Sequence, residues 1–386
     1  MQVCVVTESH PLAHMGGAEY QTGLLAELLS RRHGVAVTYL ARRVPSKTLA
    51  RGLAYAVRCI GSDAGIRRRA VFFDALELHR ALRELQPDVI YQQAKLSYTA
   101  ICASYARRCG VPFFYQVASD ADLDHRWISL HLSVNTPFDI VESLSGDWGI
   151  RHASHVLVQT ASQGDMLRRR FGRPPAALVR NFLPLPASLP AKPDGPLQIL
   201  WVANFKDVKR PGLFVDLAES FAGRDDLRFI MVGRPTALRR FAPLLQRIPR
   251  VANLTYLGEQ PVEKVEELMA NATLHINTSS FEGFPNTFIQ AWGRGAVVVS
   301  IGVDPDGIME SLGIGRCAGT FERLRILIDE LARTPQQRQT IAARAFHYAK
   351  AQHSLTAGER LVDLMLAAAG APAAASLNGI AGRDGA

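Results

Sequence analysis

The chain has 386 residues, is 48% hydrophobic and carries a formal net charge of +9, and its mean hydropathy is +0.03. This length exceeds what one hydrophobic core serves, so these values predict a soluble protein with two globular domains. No apolar run is long enough to span a bilayer, which argues against a transmembrane protein.

The N-terminus and the cysteines favour a cytoplasmic location. The opening residues MQVCVVTES contain no basic segment and lead directly into a strand pattern, so we expect no signal peptide. The five cysteines are an odd number, and they show neither a CxxC pair nor the spacing of metal ligands. We therefore expect reduced thiols and no metal site.

Positive charge is concentrated in the N-terminal half. Residues 1–183 contain 22 Lys and Arg against 15 Asp and Glu, so this half carries +7 of the net charge of +9. A basic face predicts an acidic partner, such as anionic lipid, a phosphorylated acceptor or nucleic acid. A solvated surface without a partner is the alternative. The excess charge includes three clusters: Arg42–Arg43, Arg67–Arg69 and Arg168–Arg170.

Strands and helices alternate from the first residues onward. A strand (VCVV) is followed by a helix (AEYQTGLLAELLSRRHG) with leucines on one face, and the strands VAVTYL, DVIYQQ, PFFYQV and HVLVQT come after it. After a proline-rich segment the alternation resumes with QILWVAN, LRFIMVG, LTYLG, TLHINTS and AVVVSIG. The pattern predicts two Rossmann-like, doubly wound α/β domains that face a cleft, where a ligand would bind.

The proline-rich segment sets the predicted domain boundaries, because its prolines fit neither a helix nor a central strand. We expect an N-terminal domain at 1–183, a linker at 184–196 and a C-terminal domain at 197–340. A C-terminal helix at 341–370 is expected to return to the first domain. The Ala- and Gly-rich tail at 371–386 is expected to be disordered.

Two glycines, Gly16 and Gly17, lie between the first strand and the first helix. Glycine lets backbone amides approach a ligand closely, and a helix N-terminus favours an anion. A tight strand-to-helix turn explains the same residues without a ligand. The spacing is not the G-x-G-x-x-G pattern of a dinucleotide site, which argues against an oxidoreductase.

The loop after the first strand of the second domain is basic. Cations in this position would face the cleft, where each charge-assisted hydrogen bond to a diphosphate contributes about 1.5–3 kcal/mol. An ordinary basic surface loop is the alternative. The polar and charged side chains of this loop are Asn204, Lys206, Lys209 and Arg210.

The segment SFEGFPN follows the strand TLHINTS and begins another helix. Pro285 suits a first helical turn, and the amides of Asn286 and Thr287 would then face a ligand oxygen. Gln290 lies one turn deeper on the same helix face as Asn286. Glu282 beside these groups suits sugar hydroxyls near a phosphate, although it would also favour the helix N-terminus by charge alone.

These segments together resemble the retaining family-4 glycosyltransferases of the GT-B fold. The resemblance is carried by GGAE, by the Lys209 loop, by HVLVQTASQ and RNFLP, and most specifically by EGFPNTFIQAWGRGAVVVSIGVDPDGI. It covers roughly residues 1–365. It implies that the nucleotide sugar binds mainly to the second domain and the acceptor mainly to the first.

The resemblance also implies residue roles. Glu282 is the first acid of the family's E-x7-E motif and would contact the transferred sugar. Gln290 replaces the second acid and would accept from one ribose hydroxyl and donate to the other. We therefore take Glu282, Lys209 and Asp120 as catalytic candidates, and the substrate-binding candidates are Gly16, Gly17, Glu19, Asn204, Lys206, Arg210, Gly233, Gly283, Phe284, Pro285, Asn286, Thr287 and Gln290.

Two departures from the family pattern concern the remaining polar positions. Asn204 stands where the family usually has an arginine, for which Lys206 or Arg210 would substitute. Gln116 and Val117 replace a histidine that the family often has after a strand of the first domain. Asp120 would then bind acceptor or donor hydroxyls, or it would only cap a loop together with Asp122 and Asp124.

The function implied is transfer of a sugar, with retention, from a nucleotide diphosphate sugar to a glycan or lipid-linked acceptor in polysaccharide or cell-envelope biosynthesis. No metal or cofactor and no nucleic acid partner are expected, and the basic first domain suggests peripheral docking at an anionic membrane. Asp304 and Asp306 flank a proline in a turn, which is a poor metal site. A degraded nucleotide-sugar-binding or scaffolding protein is the alternative.

Overall fold

The computed structural model describes residues 1–61, 70–124 and 136–370. The basic cluster Arg67–Arg69 and the predicted tail at 371–386 lie outside the described residues. The chain forms two compact units. The first comprises Met1–Gln159, Gln163–Val179 and the chain from Thr356 on, and the second comprises Thr160–Ser162 and Arg180–Leu355.

The sheet of the first unit is parallel throughout the part that the structure describes. Its order is β3-β2-β1-β4-β5-β6-β7, so the chain reverses its direction of travel across the sheet between β1 and β4. The strands are β1 (Gln2–Ser9), β2 (Ala36–Arg43), β3 (Ala56–Cys59), β4 (Val89–Gln93), β5 (Phe113–Gln116), β6 (His155–Val158) and β7 (Ala177–Leu178).

Helices connect these strands, as parallel pairing requires. The core of the unit lies between sheet and helices and includes Val6, Ile90, Phe113 and Tyr115, which are all fully buried. The helices are α1 (Gly17–Ser30), α2 (Lys47–Ala50), α3 (Ala70–Leu85), α4 (Ser97–Cys109), α5 (Thr136–His152), α6 (Ala161–Phe171) and, near the end of the chain, α14 (Leu355–Ala368).

The second unit repeats this architecture with another parallel sheet. Its order is β10-β9-β8-β11-β12-β13, and the reversal falls between β8 and β11. Such a reversal leaves a crevice at the carboxyl ends of the two central strands, where α/β sheets bind ligands. The strands are β8 (Leu197–Val202), β9 (Leu227–Val232), β10 (Leu254–Tyr256), β11 (Leu274–Asn277), β12 (Val297–Ser300) and β13 (Gly315–Cys317).

Apolar strands and helix faces form the core of the second unit. Ile199, Phe214, Phe229 and Leu274 are fully buried in it. Helix α10 is buried from Phe288 to Gly293, which fixes its position beneath the carboxyl edge of the sheet. The helices are α7 (Pro211–Ser220), α8 (Leu238–Arg247), α9 (Val262–Asn271), α10 (Asn286–Gly293), α11 (Ile308–Ser311), α12 (Phe321–Arg333) and α13 (Pro335–His353).

The C-terminal region differs from the single helix expected at 341–370. Helix α13 ends at His353, and Ser354 is extended with φ −73° and ψ 169°, so α14 begins as a separate helix. Asp363 on α14 pairs with Arg32 at 2.8 Å within the first unit. Among the described helices, none combines the length and apolar character that a membrane span requires.

Candidate active site

Two loops of the second unit meet where its sheet reverses. The loop after β8 turns through a short 3₁₀ segment, Asp207–Lys209, and enters α7 at Pro211. The amide of Ser280, in the loop after β11, donates to the carbonyl of Val208 at 2.8 Å. The Thr278 hydroxyl donates to the carbonyl of Lys209 at 2.7 Å. Lys209 is therefore held against the second loop by backbone contacts.

Arg210 connects the same two loops through hydrogen bonds. It lies in the left-handed region, with φ +46° and ψ +55°, which is uncommon for a residue other than glycine. Its guanidinium donates to the carbonyl of Thr278 at 2.6 Å and to that of Ser279 at 3.0 Å. Burial lowers the pKa of this guanidinium. The side chain that we expected to bind substrate thus supports the loop that carries Glu282.

Lys209 and Glu282 form an ion pair at the crevice. The ammonium contacts Glu282 Oε1, and the Ser279 hydroxyl donates to the same oxygen at 2.7 Å. The two side chains remain 25% and 15% exposed, so both reach solvent. The structure therefore brings together a cation suited to phosphate oxygens and a carboxylate suited to sugar hydroxyls.

The segment from Gly283 to Thr287 places the N-terminus of α10 next to this pair. Gly283, Phe284 and Pro285 are buried, whereas Asn286 and Thr287 are half-buried at the start of the helix. A helix start presents backbone amides and a partial positive charge to an anion. Gln290 is buried one turn further along, with 7% of its surface exposed.

Asn181 holds the segment from Gly283 to Thr287 through hydrogen bonds. The sequence does not predict Asn181 as a site residue. Its side-chain amide donates to the carbonyl of Phe284 at 3.0 Å and to Oδ1 of Asn286 at 2.9 Å. Its own carbonyl accepts from Nδ1 of His353 at 2.7 Å. RNFLP contributes to the family resemblance, yet a lone asparagine there gives no indication of what it contacts.

The remaining candidates of the second unit lie around the same edge. Asn204 Oδ1 accepts from the amide of Arg234 at 3.4 Å, which ties the β8 loop to the β9 loop. Lys206 is exposed. Gly233 has φ +138°, and a Cβ there would collide with the carbonyl of Ala203. Gly233 is thus required for close approach of two backbones, whatever its part in binding.

In the first unit, Gly16 and Gly17 do form the turn into α1, with Gly16 as the capping residue. The carboxylate of Glu19 folds back over Gly16, where a Cβ would collide with its Oε2. An anion at this helix start would therefore lie beside an acidic group. The assignment of these three residues to substrate binding stays a prediction.

Asp120 begins a 3₁₀ turn at the carboxyl end of β5. Its Oδ1 accepts from Nε2 of Gln163 at 3.1 Å, and its side chain is half-buried. Asp122 is the structural acid of this turn, since it accepts from Tyr115 and from the amide of Ala118. Burial raises the pKa of Asp122. A catalytic role for Asp120 remains a prediction.

No group of three or more His, Cys, Asp or Glu side chains is arranged for a metal ion within residues 1–61, 70–124 and 136–370. Asp304 accepts from the amides of Met309 and Glu310 at 2.8 and 3.3 Å. Its carboxylate is thereby used to cap α11, which agrees with the turn expected at this position.

Two family profiles match the sequence. The profile described as "Glycosyltransferase Family 4" covers residues 15–185, and that described as "Glycosyl transferases group 1" covers residues 196–337. Among curated proteins, none matches the sequence significantly.

Solved structures with the same fold cover nearly the whole chain. HepE (Alr3699) of Anabaena, solved with UDP and glucose, superposes with a TM-score of 0.74 at 17% identity, covering 95% of this chain and 100% of its own. WaaG, described as a glycosyltransferase of lipopolysaccharide biosynthesis, has a TM-score of 0.74 at 14% identity and coverage of 94% and 99%. Sucrose-phosphate synthase from Thermosynechococcus elongatus superposes with a TM-score of 0.75 at 14% identity, covering 94% of this chain and 98% of its own.

Proposed function

Because the chain belongs to the glycosyltransferases of the GT-B fold, we propose that it moves a sugar from a nucleotide diphosphate sugar to an acceptor hydroxyl. The observation that carries this proposal is the Lys209–Glu282 pair beside the start of α10. It lies at the reversal point of the second sheet, where a ligand is expected on topological grounds. The solved complexes of HepE with UDP-glucose agree with a donor of this class.

Each group at this site has a part in the proposed reaction. Lys209 and the amides at the start of α10 meet the diphosphate and stabilise the charge that builds up as it leaves. Glu282 accepts from hydroxyls of the sugar, and the Ser279 hydroxyl fixes the carboxylate for that task. Gln290 meets the ribose. Because the ammonium of Lys209 contacts Glu282 directly, donor binding requires that the ammonium either contact Glu282 and the phosphate together or leave Glu282 and contact the phosphate alone.

We propose transfer with retention, on one face of the sugar. The bond from the anomeric carbon to the leaving phosphate oxygen breaks, and the bond to the acceptor oxygen forms on the same side. The acceptor proton passes to the leaving phosphate oxygen. In this scheme Glu282, already paired with a cation, orients the sugar and does not attack it.

The acceptor in this proposal is a glycan or a lipid-linked glycan, as in polysaccharide or cell-envelope assembly. The support is the charge of the first 183 residues, which is +7. A basic surface attracts the anionic lipid that surrounds a lipid-linked acceptor, and salt weakens this attraction. We therefore include peripheral docking at an anionic membrane in the proposed function.

Thermal unfolding in the presence of UDP-, GDP-, ADP- and TDP-sugars tests donor binding. At a concentration about 100 times Kd, a bound donor stabilises the folded state by about 2.7 kcal/mol. We expect protection by one nucleotide class, and reduced protection in Lys209→Ala. Lys264→Ala removes an exposed lysine from α9 and should match the parent chain. Equal protection of Lys209→Ala and the parent would contradict the assigned site.

A nucleotide-sugar-binding protein without turnover is the second candidate. Asn204 and Gln290 stand where the family resemblance leads us to expect Arg and Glu, and this observation favours the alternative. Calorimetric binding of a donor without release of nucleotide, across a panel of acceptors, would select it over the enzyme.

A further inference from the structure

Helix α5 of the first unit carries a stripe of exposed apolar side chains. Of the twelve large apolar side chains exposed in the described part of the chain, four belong to this helix. Ile140, Val141, Leu144 and Trp148 are 41%, 47%, 58% and 40% exposed. At about 100° of rotation per residue, they fall within an arc of about 100°. Single exposed apolar residues are ordinary, but a contiguous stripe marks an interaction surface.

The opposite face of α5 is the one that packs on the protein. A Cβ at Gly146 would collide with the side chain of Lys95, and one at Gly149 with the backbone of Thr99. Gly146 and Gly149 lie about 170° and about 130° around the helix from the centre of the stripe. The helix is therefore anchored closely on α4, and its apolar arc faces away from the core of the unit.

Basic groups border the stripe. Arg151 lies at its C-terminal end, with its guanidinium 5.3 Å from the centre of the Phe171 ring at the end of α6. The last turn of α6 carries Arg168 and Arg169, which are both exposed, and Arg168 also pairs with Asp165 at 2.8 Å. Glu142 lies about 150° from the stripe centre. An apolar arc with a basic border is complementary to an anionic lipid surface.

Trp148 adds a side chain suited to the boundary between lipid and water. Its ring stacks on His152 at 4.2 Å, and its carbonyl contacts Nδ1 of His152 at 2.7 Å. This stacking fixes the indole ring at the edge of the arc, while Trp148 remains 40% exposed. Tryptophan is enriched at membrane interfaces because its ring is apolar and its N–H is polar.

From these observations we infer that α5 is the docking element, which lies in the interface of an anionic bilayer with its stripe toward the lipid and Arg151, Arg168 and Arg169 at the headgroups. This inference rests on the proposed function, in which the acceptor is met at a membrane. It assigns the contact to one helix instead of to the overall positive charge. The two explanations differ in what removal of apolar side chains would do.

Co-sedimentation with vesicles tests the assignment. The full chain should bind vesicles of phosphatidylcholine with phosphatidylglycerol more tightly than vesicles of phosphatidylcholine alone. The double variant Ile140→Gln/Leu144→Gln should lower partitioning about tenfold. Leu76→Gln, on α3 of the same unit and 79% exposed, is the matched control and should bind like the parent. Arg169→Glu should weaken binding only to the anionic vesicles.

Other outcomes would overturn the inference. Binding of the double variant equal to that of Leu76→Gln would leave overall charge as the cause. A dimeric parent that becomes monomeric in the double variant would identify the stripe as an interface between copies. Donor protection in thermal unfolding is measured on the same variants without vesicles. If donor protection persists while vesicle binding fails, the docking assignment falls and the proposed transfer reaction does not.

Discussion

Asn181 illustrates how a residue away from the substrate candidates affects their geometry. It is 5% exposed, and its amide holds the carbonyl of Phe284 and the side chain of Asn286 at the start of α10. Neither contact involves the ion pair of Lys209 and Glu282. Asn181 is therefore a positioning residue, whose effect should appear in donor binding as well as in stability.

Asn181→Ala is expected to raise the donor KM about tenfold, because the segment before α10 loses two hydrogen bonds that fix it. Asn253 provides the matched control, since its buried amide also donates to two carbonyls of the same unit, those of Ala218 and Phe221. Both variants should lose about 1–3 kcal/mol of unfolding free energy. Initial-rate kinetics that show the same KM for the two variants would reduce Asn181 to a structural role.

Gly233 provides a stability prediction at the same scale. Gly233→Ala should destabilise the second unit by about 2 kcal/mol or more, because the new Cβ meets the Ala203 carbonyl at a φ of +138°. Gly258→Ala introduces the same group at φ +70° with no atom within 4 Å. It should cost about 1 kcal/mol. Denaturant unfolding of the two variants measures the difference, and equal losses would refute the steric explanation.

The sequence predicts those helices and strands whose apolar runs, prolines and turn residues are clearest. The strand TLHINTS contains β11, the helix beginning at PGLFVDL is α7, and the helix after EGFPN is α10. These segments are predictable because their strand runs, prolines and turn residues agree locally. Strand β3 is not predictable in this way: AVRC is short, and none of its four residues is buried.

The sequence does not predict helix α8 either, because Pro243 lies inside it and a proline indicates a break in a helix. For the candidate site, the sequence identifies the loops but not the contacts within them. The sequence predicts both Lys209 and Glu282 as site residues, yet nothing in a linear pattern shows that they pair. Arg210 is predicted to bind substrate, and the linear pattern does not show that its guanidinium also donates to the carbonyls of Thr278 and Ser279.

The end of α13 gives a prediction about pH. Burial lowers the pKa of His353 to about 3, against about 6.5 in an unfolded chain. Between these values the unfolded state binds more protons, so stability is complete above pH 6.5 and falls as the pH decreases toward 3. His353 contributes a slope of about 1.4 kcal/mol per pH unit in this window.

His353→Asn places an amide N–H near the position of Nδ1, which donates to the carbonyl of Asn181, but removes the titrating group. Its unfolding free energy should therefore vary less steeply between pH 6.5 and about 4. The slope is compared with that of the parent, so an overall loss of stability does not disturb the result. His275, whose pKa burial lowers to about 4, accounts for part of the slope that remains. Identical slopes would show that His353 is not buried in its neutral form.

At the scale of the whole molecule, the two units share one architecture but differ in what the structure supports. The reversal point of the second sheet contains a cation, a carboxylate and a helix start in contact or adjacent to one another. At the corresponding helix start of the first unit, Glu19 covers Gly16. The alternation of strands and helices in the sequence predicts the architecture. The proposed class of ligand is instead argued from the family and from the site residues of the second unit.

Release of nucleotide from the protective donor, measured with a panel of glycan acceptors, tests the central claim most directly. We predict turnover by the parent chain and a loss of at least about tenfold in both Lys209→Ala and Glu282→Ala, which corresponds to about 1.4 kcal/mol of transition-state stabilisation each. Circular dichroism should show that both variants are folded, and Lys264→Ala should keep the parental rate. Unchanged turnover in the two site variants would contradict the claim that this pair serves the reaction.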